Sequence, residues 1–338
     1  FEFGADGYIR KPLNTETFAD LVNRILDDHI DMKFWGVRGT LPVPGDQTLK
    51  YGGNTSCVTL EFPREQFFIF DGGSGIKNLG DSLMAEKRNR IRARIFISHP
   101  HWDHINGFPF FIPAYDPKRS IAIKAGHLKG QGGVQNVLSA QMHNPMFPVP
   151  LEAMQANLTF EDFDAGEDLD IWGDLTIRTA PLNHPNRATG YRIDFDGRSI
   201  CYLTDTEHFE DGPDRNLLDL IAGADLVIYD SCYTDEEYPR FKGFGHSTWQ
   251  EGIRLVEAAG AKTLVIFHHD PSHDDDFMDE VARQAEAARK ADEAVAARKA
   301  SLSKRERRGK STGRPLTFRV RARSSASLLV CVSRIHAR

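Results

Sequence analysis

The chain has 338 residues, 40% of them apolar and 27% charged, with a formal charge of −6, an ordinary composition for a globular protein with room for two domains and a large core. No uninterrupted apolar run reaches the roughly 20 residues of a membrane span, and the first residues carry no basic-then-apolar signal pattern, so a cytoplasmic location without membrane contact is expected. Cys57, Cys201, Cys232 and Cys331 lie far apart with no CxxC pair, which argues against a disulfide framework; Cys57 and Cys201 sit in apolar runs as small core residues.

In chain order, Gly4-Ala5-Asp6-Gly7-Tyr8-Ile9-Arg10-Lys11-Pro12-Leu13 resembles the end of a response-regulator receiver domain. The resemblance implies a phosphate-accepting aspartate upstream and a last helix through Phe18, Leu21, Val22, Ile25 and Leu26, starting near Asn14. Residues 1–30 are therefore expected to be a receiver remnant, or else an extension helix packed on the following domain, which spans 31–276.

Within 31–276 the chemistry-bearing residues follow apolar, β-prone runs. Phe67-Phe68-Ile69-Phe70 precedes Asp71-Gly72-Gly73-Ser74-Gly75, and Ile95-Phe96-Ile97 precedes Ser98-His99-Pro100-His101-Trp102-Asp103-His104. In extended backbone His99 and His101 project to one side, and a turn near Trp102 brings Asp103 and His104 close by. Neutral imidazole and carboxylate suit zinc or another first-row divalent ion, and this density of donors suggests two ions side by side. Further on come His184 in Pro181-Leu182-Asn183-His184-Pro185, Asp205 in Tyr202-Leu203-Thr204-Asp205-Thr206, and His268-His269 after Leu264-Val265-Ile266-Phe267. Gly245-His246-Ser247-Thr248 precedes a helical pattern from Trp249, with Ser247 or Thr248 as the cap and His246 in the loop before it.

Taken in order over about residues 32 to 275, these motifs resemble the metallo-β-lactamase superfamily, in its phosphodiesterase and ribonuclease Z-like branch. The resemblance implies an α/β fold, a four-layer αββα sandwich with metals at one edge between two mixed sheets. It implies His99, His101 and His184 on one ion, Asp103, His104 and His268 on the other, and Asp205 bridging them. Two divalent ions are expected, zinc first, with manganese or iron as alternatives, and a shared water as nucleophile. Asp71 would orient a ligand and its loop, His246 would protonate the leaving oxygen, and His269 competes with His268 for the last position.

The expected activity is hydrolysis of a small or cyclic phosphodiester. A ribonuclease Z-like endonuclease is the nearest alternative, but between residues 116 and 160 the only Lys or Arg are Lys118, Arg119, Lys124 and Lys129, a thin footprint for nucleic acid. Lactone, thioester or β-lactam hydrolysis is a second alternative, and a receiver-linked module that binds a phosphodiester without cleaving it a third; a homodimer is the assembly considered. Gly107-Phe108-Pro109-Phe110-Phe111 and the loop Asn144-Pro145-Met146-Phe147-Pro148-Val149-Pro150 are candidates for a wall over the site, or plain packing. Residues 277–338 read as an alanine-rich, solvated helix to about Ala300 and then a basic, disordered tail. That tail has eleven Lys or Arg against one acid, Glu306, so about +10 there leaves the rest near −16.

Overall fold

A computed structural model describes residues 30–63, 66–86, 92–173, 175–290 and 327–330. The receiver-like stretch, and the tail apart from 327–330, lie outside the described residues.

Thirteen strands among the described residues form two sheets. The first runs in spatial order β1 (Asp31–Gly36), β2 (Cys57–Phe62), β3 (Gln66–Phe70), β4 (Arg92–Ile97), β5 (Ser120–Ala125) and β6 (Asn157–Asp162). Its first three strands are antiparallel neighbours, and β3 to β6 are parallel. The second contains β7 (Leu169–Trp172), β8 (Leu175–Leu182), β9 (Ala188–Phe195), β10 (Arg198–Leu203), β11 (Leu226–Asp230), β12 (Thr263–Phe267) and β13 (Ser327–Val330). Here β7 to β10 are antiparallel neighbours and β10 to β13 parallel.

Side-chain alternation explains why the sheets stack. Phe68, Phe70 and Phe96 point from the first sheet into a core shared with Tyr191, Tyr202, Ile228, Val265 and Phe267 of the second. Phe70 and Tyr202 rings meet at 5.3 Å, and Phe34 and Phe267 at 6.3 Å. The intervening residues Phe67, Ile69, Ile95 and Ile97 face outward onto Ile76, Leu79 and Leu83 of α1 (Gly75–Ala85). Behind the second sheet, Leu203, Tyr229 and Ile266 pack on Leu217 and Leu220 of α4 (Arg215–Ile221) and Leu255 and Val256 of α5 (Trp249–Ala259); α2 (Trp102–Ile105) and α3 (Gly133–Gln141) belong to the first half. Strands covered on both faces must be apolar at nearly every position, as β11 and β12 are. The result is the expected four-layer αββα arrangement.

Two expectations about the C-terminal region change. The helix over 275–290 is not a solvated rod, because Met278, Val281 and Ala285 are buried in the core behind the second sheet. Small alanines allow close approach there, so few large side chains suffice for docking. The tail read as disordered supplies β13, paired in parallel with β12 from Thr263↔Ser327 to Ile266↔Val330. Among the described residues no helix is long and apolar enough to cross a membrane.

Candidate metal centre

The parallel strands of both sheets deliver their next residues to one edge. Asp71 follows β3, His268 follows β12, and Asp205 lies just after β10; all three adopt left-handed backbone, with φ of 61°, 62° and 59°. For residues with a Cβ such geometry costs about 1–3 kcal/mol each and persists where the surroundings enforce it. Around Asp71 the enforcement is visible: its carboxylate accepts from Ser98 N (2.7 Å), Ser98 Oγ (2.8 Å) and Tyr202 Oη (2.8 Å), and from His104 Nδ1 (2.8 Å).

Asp205 is the centre of the constellation. Its Oδ2 is 3.4 Å from His99 Nε2 and 3.7 Å from His184 Nε2, while Oδ1 is 3.1 Å from both His104 Nε2 and His268 Nε2. Asp103 Oδ2 lies 3.1 Å from His104 Nε2 and 3.2 Å from His268 Nε2, and accepts from Thr40 N at 2.7 Å. His101 Nδ1 is 3.1 Å from His184 Nε2. Two groups of ligand atoms result, His99, His101, His184 and Asp205, and Asp103, His104, Asp205 and His268, each with all members within 4.8 Å of one another.

Three of the histidines, His99, His104 and His184, have their outward nitrogens tied down. His104 Nδ1–H donates to Asp71, and His184 Nδ1–H donates to Gly245 O at 2.8 Å. Ser98 gives its one hydroxyl proton to Asp71, so at 3.1 Å it accepts from His99 Nδ1–H. Each ring thereby turns its Nε2 inward, the nitrogen with which it would ligate a metal.

The donor set fits divalent cations. His99 Nε2 is buried without a hydrogen-bond partner, and His104 Nε2 and His268 Nε2 face each other at 3.2 Å, an approach that a shared electrophile resolves. Burial pushes the His99 ring well below the usual imidazole range, despite Asp205. For His104 burial is overcome by Asp103, Asp205 and Asp71, which hold its pKa well above normal. Burial also opposes charge on Asp103 and Asp205, yet His104 and His268 keep both carboxylates ionised well below the ordinary range. Two buried carboxylates, Asp103 and Asp205, converging on one cluster call for positive charge there.

His246 adjoins this cluster, its ring stacked on His268 with centroids 4.9 Å apart. Its Nδ1–H donates to Asp230 Oδ2 at 2.9 Å; burial disfavours the cation, but Asp230 dominates and lifts the pKa to about 9. Thr248 caps α5 by accepting from Glu251 N at 3.0 Å, which fixes His246 in the preceding loop. Glu207 holds that loop from below, accepting from Gly243 N at 2.8 Å and Gly245 N at 2.9 Å. Gly245 has φ of +87°, and a Cβ there would come within 2.2 Å of His184 Nδ1, so this position requires glycine.

All seven expected ligands and His246 are thus brought together. Asp71 sits behind His104, and of the adjacent histidines only His268 joins the cluster. His269 turns the other way, its Nε2 3.1 Å from Ile266 O and its ring edge-on to Tyr51. Asp230 was missed by sequence reading, although it follows Leu226-Val227-Ile228-Tyr229 just as Asp71 follows Phe67-Phe68-Ile69-Phe70. Of the expected wall, Phe108 and Phe111 are core residues, whereas Phe110 is exposed and meets Phe147 at 5.5 Å; Trp102, beside His101, is 77% exposed.

A family model described as the beta-lactamase superfamily domain matches residues 80–269. A ribonuclease Z from Acaryochloris marina is 25% identical over 276 residues, covering 65% of this chain and 82% of that protein. Among solved structures, the metallo-beta-lactamase fold protein YhfI from Bacillus subtilis superposes with a TM-score of 0.56 at 17% identity, covering 76% of this chain and 92% of that one. A diphosphatase from the PhnP family gives 0.51 at 17% identity, covering 71% and 86%.

Proposed function

Because the chain belongs to the β-lactamase superfamily, whose hydrolases are metal-dependent, we propose that it is a phosphodiesterase acting on a small or cyclic phosphodiester. His99, His101 and His184 would hold one divalent ion, Asp103, His104 and His268 the other, and Asp205, which belongs to both groups, would serve both. Zinc is the first choice for a nitrogen and oxygen donor set of this kind. Ions held there would neutralise charge on phosphoryl oxygens and bring the pKa of water toward neutrality.

The observation that carries the reading is the His246–Asp230 pair beside the cluster. A phosphodiester has a poor alkoxide leaving group, and a protonated imidazole within reach of that oxygen removes the difficulty. Asp230 fixes Nδ1–H, which leaves Nε2–H as the proton to give, and its carboxylate favours the protonated ring against burial. Carbonyl substrates with good leaving groups have less need of such a donor. Asp71 would act through His104, keeping its Nε2 aimed at Asp205.

Ribonuclease Z activity is the second reading, favoured by the A. marina relative of that name. Against it stand the body charge near −16 and the scarcity of basic residues between 116 and 160.

The test is turnover of bis-p-nitrophenyl phosphate by metal-stripped protein and after reconstitution with zinc or manganese, beside a β-lactam, a thioester and a precursor tRNA. Metal-dependent cleavage of the diester without tRNA processing supports the proposal. Activity confined to the carbonyl substrates overturns it, and efficient tRNA cleavage transfers it to the second reading.

A further inference from the structure

One buried titratable group at the same edge has no part in this scheme. His127 follows β5 as His99 follows β4: Ile97 pairs with Ala125, and both histidines lie two residues further on. Parallel neighbours are about 4.8 Å apart, so the register sets His127 level with His99, one strand over. The ring is 8% exposed; its Nδ1 lies 3.3 Å from Thr189 Oγ1, and its Nε2 is buried without a partner. Thr189 N in turn donates to Ser98 O at 2.9 Å, which ties His127 to the strand end that bears His99. Two residues before Thr189 stands Arg187, exposed, in left-handed backbone with φ of 74°, on the loop that carries His184; among the described residues no carboxylate pairs with its guanidinium.

We propose that His127 Nε2–H and the Arg187 guanidinium form a subsite for a second oxyanion of the substrate, on the His184 side of the metal centre. This rests on the phosphodiesterase reading and narrows it to diesters with a further phosphate or carboxylate. The pairing is chemically sensible. Burial and the nearby Arg187 charge push the His127 pKa down to about 4, so its ring is a neutral donor, while Arg187 supplies charge and a planar fork of N–H groups.

The experiment uses the zinc-loaded protein and thymidine 5′-(p-nitrophenyl phosphate) with and without a 3′-phosphate, two diesters with the same leaving group. The 3′-phosphorylated compound is expected to have a KM lower by about tenfold or more, the scale of a charge-assisted hydrogen bond. His127→Ala and Arg187→Ala should each erase most of that preference through KM more than kcat, and Arg187→Lys and His127→Gln should restore part of it. Equal KM values for the two compounds in the unaltered protein would overturn the subsite while leaving the phosphodiesterase reading intact. If neither compound is cleaved, that reading fails, and calorimetry with thymidine 3′,5′-bisphosphate against the 5′-monophosphate still decides the subsite. Tighter binding of the bisphosphate, lost in both alanine variants, supports it; equal binding overturns it.

Discussion

The two sheets contribute to the metal centre in different ways. The first sheet's share is nearly continuous in sequence: His99, His101, Asp103 and His104 fall at the end of one strand, and their orientation is set by side chains, chiefly Asp71 and Ser98. The second sheet's share is scattered over His184, Asp205, Asp230, His246 and His268, and main chain does much of the aiming, through the Gly245 carbonyl and the left-handed turns at Asp205 and His268. A cluster that is contiguous in sequence is held by neighbours it can recruit locally. Residues gathered from four strand ends depend on the sheet having the right order and register.

The sharpest way to break this division is Asp205, the one residue whose oxygens face both groups. Asp205→Ala should lower diester turnover by about a thousandfold or more and reduce bound metal, read by kinetics and elemental analysis. An alanine variant with full metal content and rate would sink the bridging assignment. Next comes His246→Ala, whose effect should depend on the leaving group. With a nucleoside alkoxide the loss should be about 10²–10⁴-fold, whereas p-nitrophenolate departs readily without a proton and should show far less. Equal losses on both would mean that His246 does not act as an acid.

Asp71→Asn probes the side-chain support of the first sheet and should weaken metal affinity by about 10–100-fold in competition with a chelator. The smallest effect is expected from Asp230→Asn. Against the opposing effect of burial, Asp230 raises the His246 pKa, so an acid at this position would lose its proton, and the rate would fall, as pH rises through the pKa of the ring. Removing the carboxylate lowers the pKa and should move this alkaline limb of the kcat profile to lower pH; an unmoved limb would assign it to another group.

Legibility followed the same division. The HxHxDH run announced itself because its ligands share one strand end, and the αββα architecture came with the family resemblance; periodicity alone gave only alternating strands and helices. His268 and His269 were indistinguishable by spacing, and the choice between them is made by a φ of 62° that turns His268 toward Asp205. Asp230 and His127 each follow an apolar run, but one carboxylate or one histidine after a strand carries no message until the sheet order places it at the edge. The helix over 275–290 was misjudged for another reason: its alanines looked too small to dock, though small residues permit close approach.

The position of the centre between the sheets gives it a mechanical meaning. Asp71 and His99 to His104 belong to one layer of the sandwich, and His184, Asp205 and His268 to the other, with Phe70, Phe96, Tyr202 and Phe267 packed between the sheets. Any slippage of one sheet over the other separates the two halves of the ligand set. The aromatic packing therefore acts as a spacer that gauges the site, and a cation bound across the seam would rivet the layers together, so that loss of metal would loosen the fold and loosening of the fold would release metal.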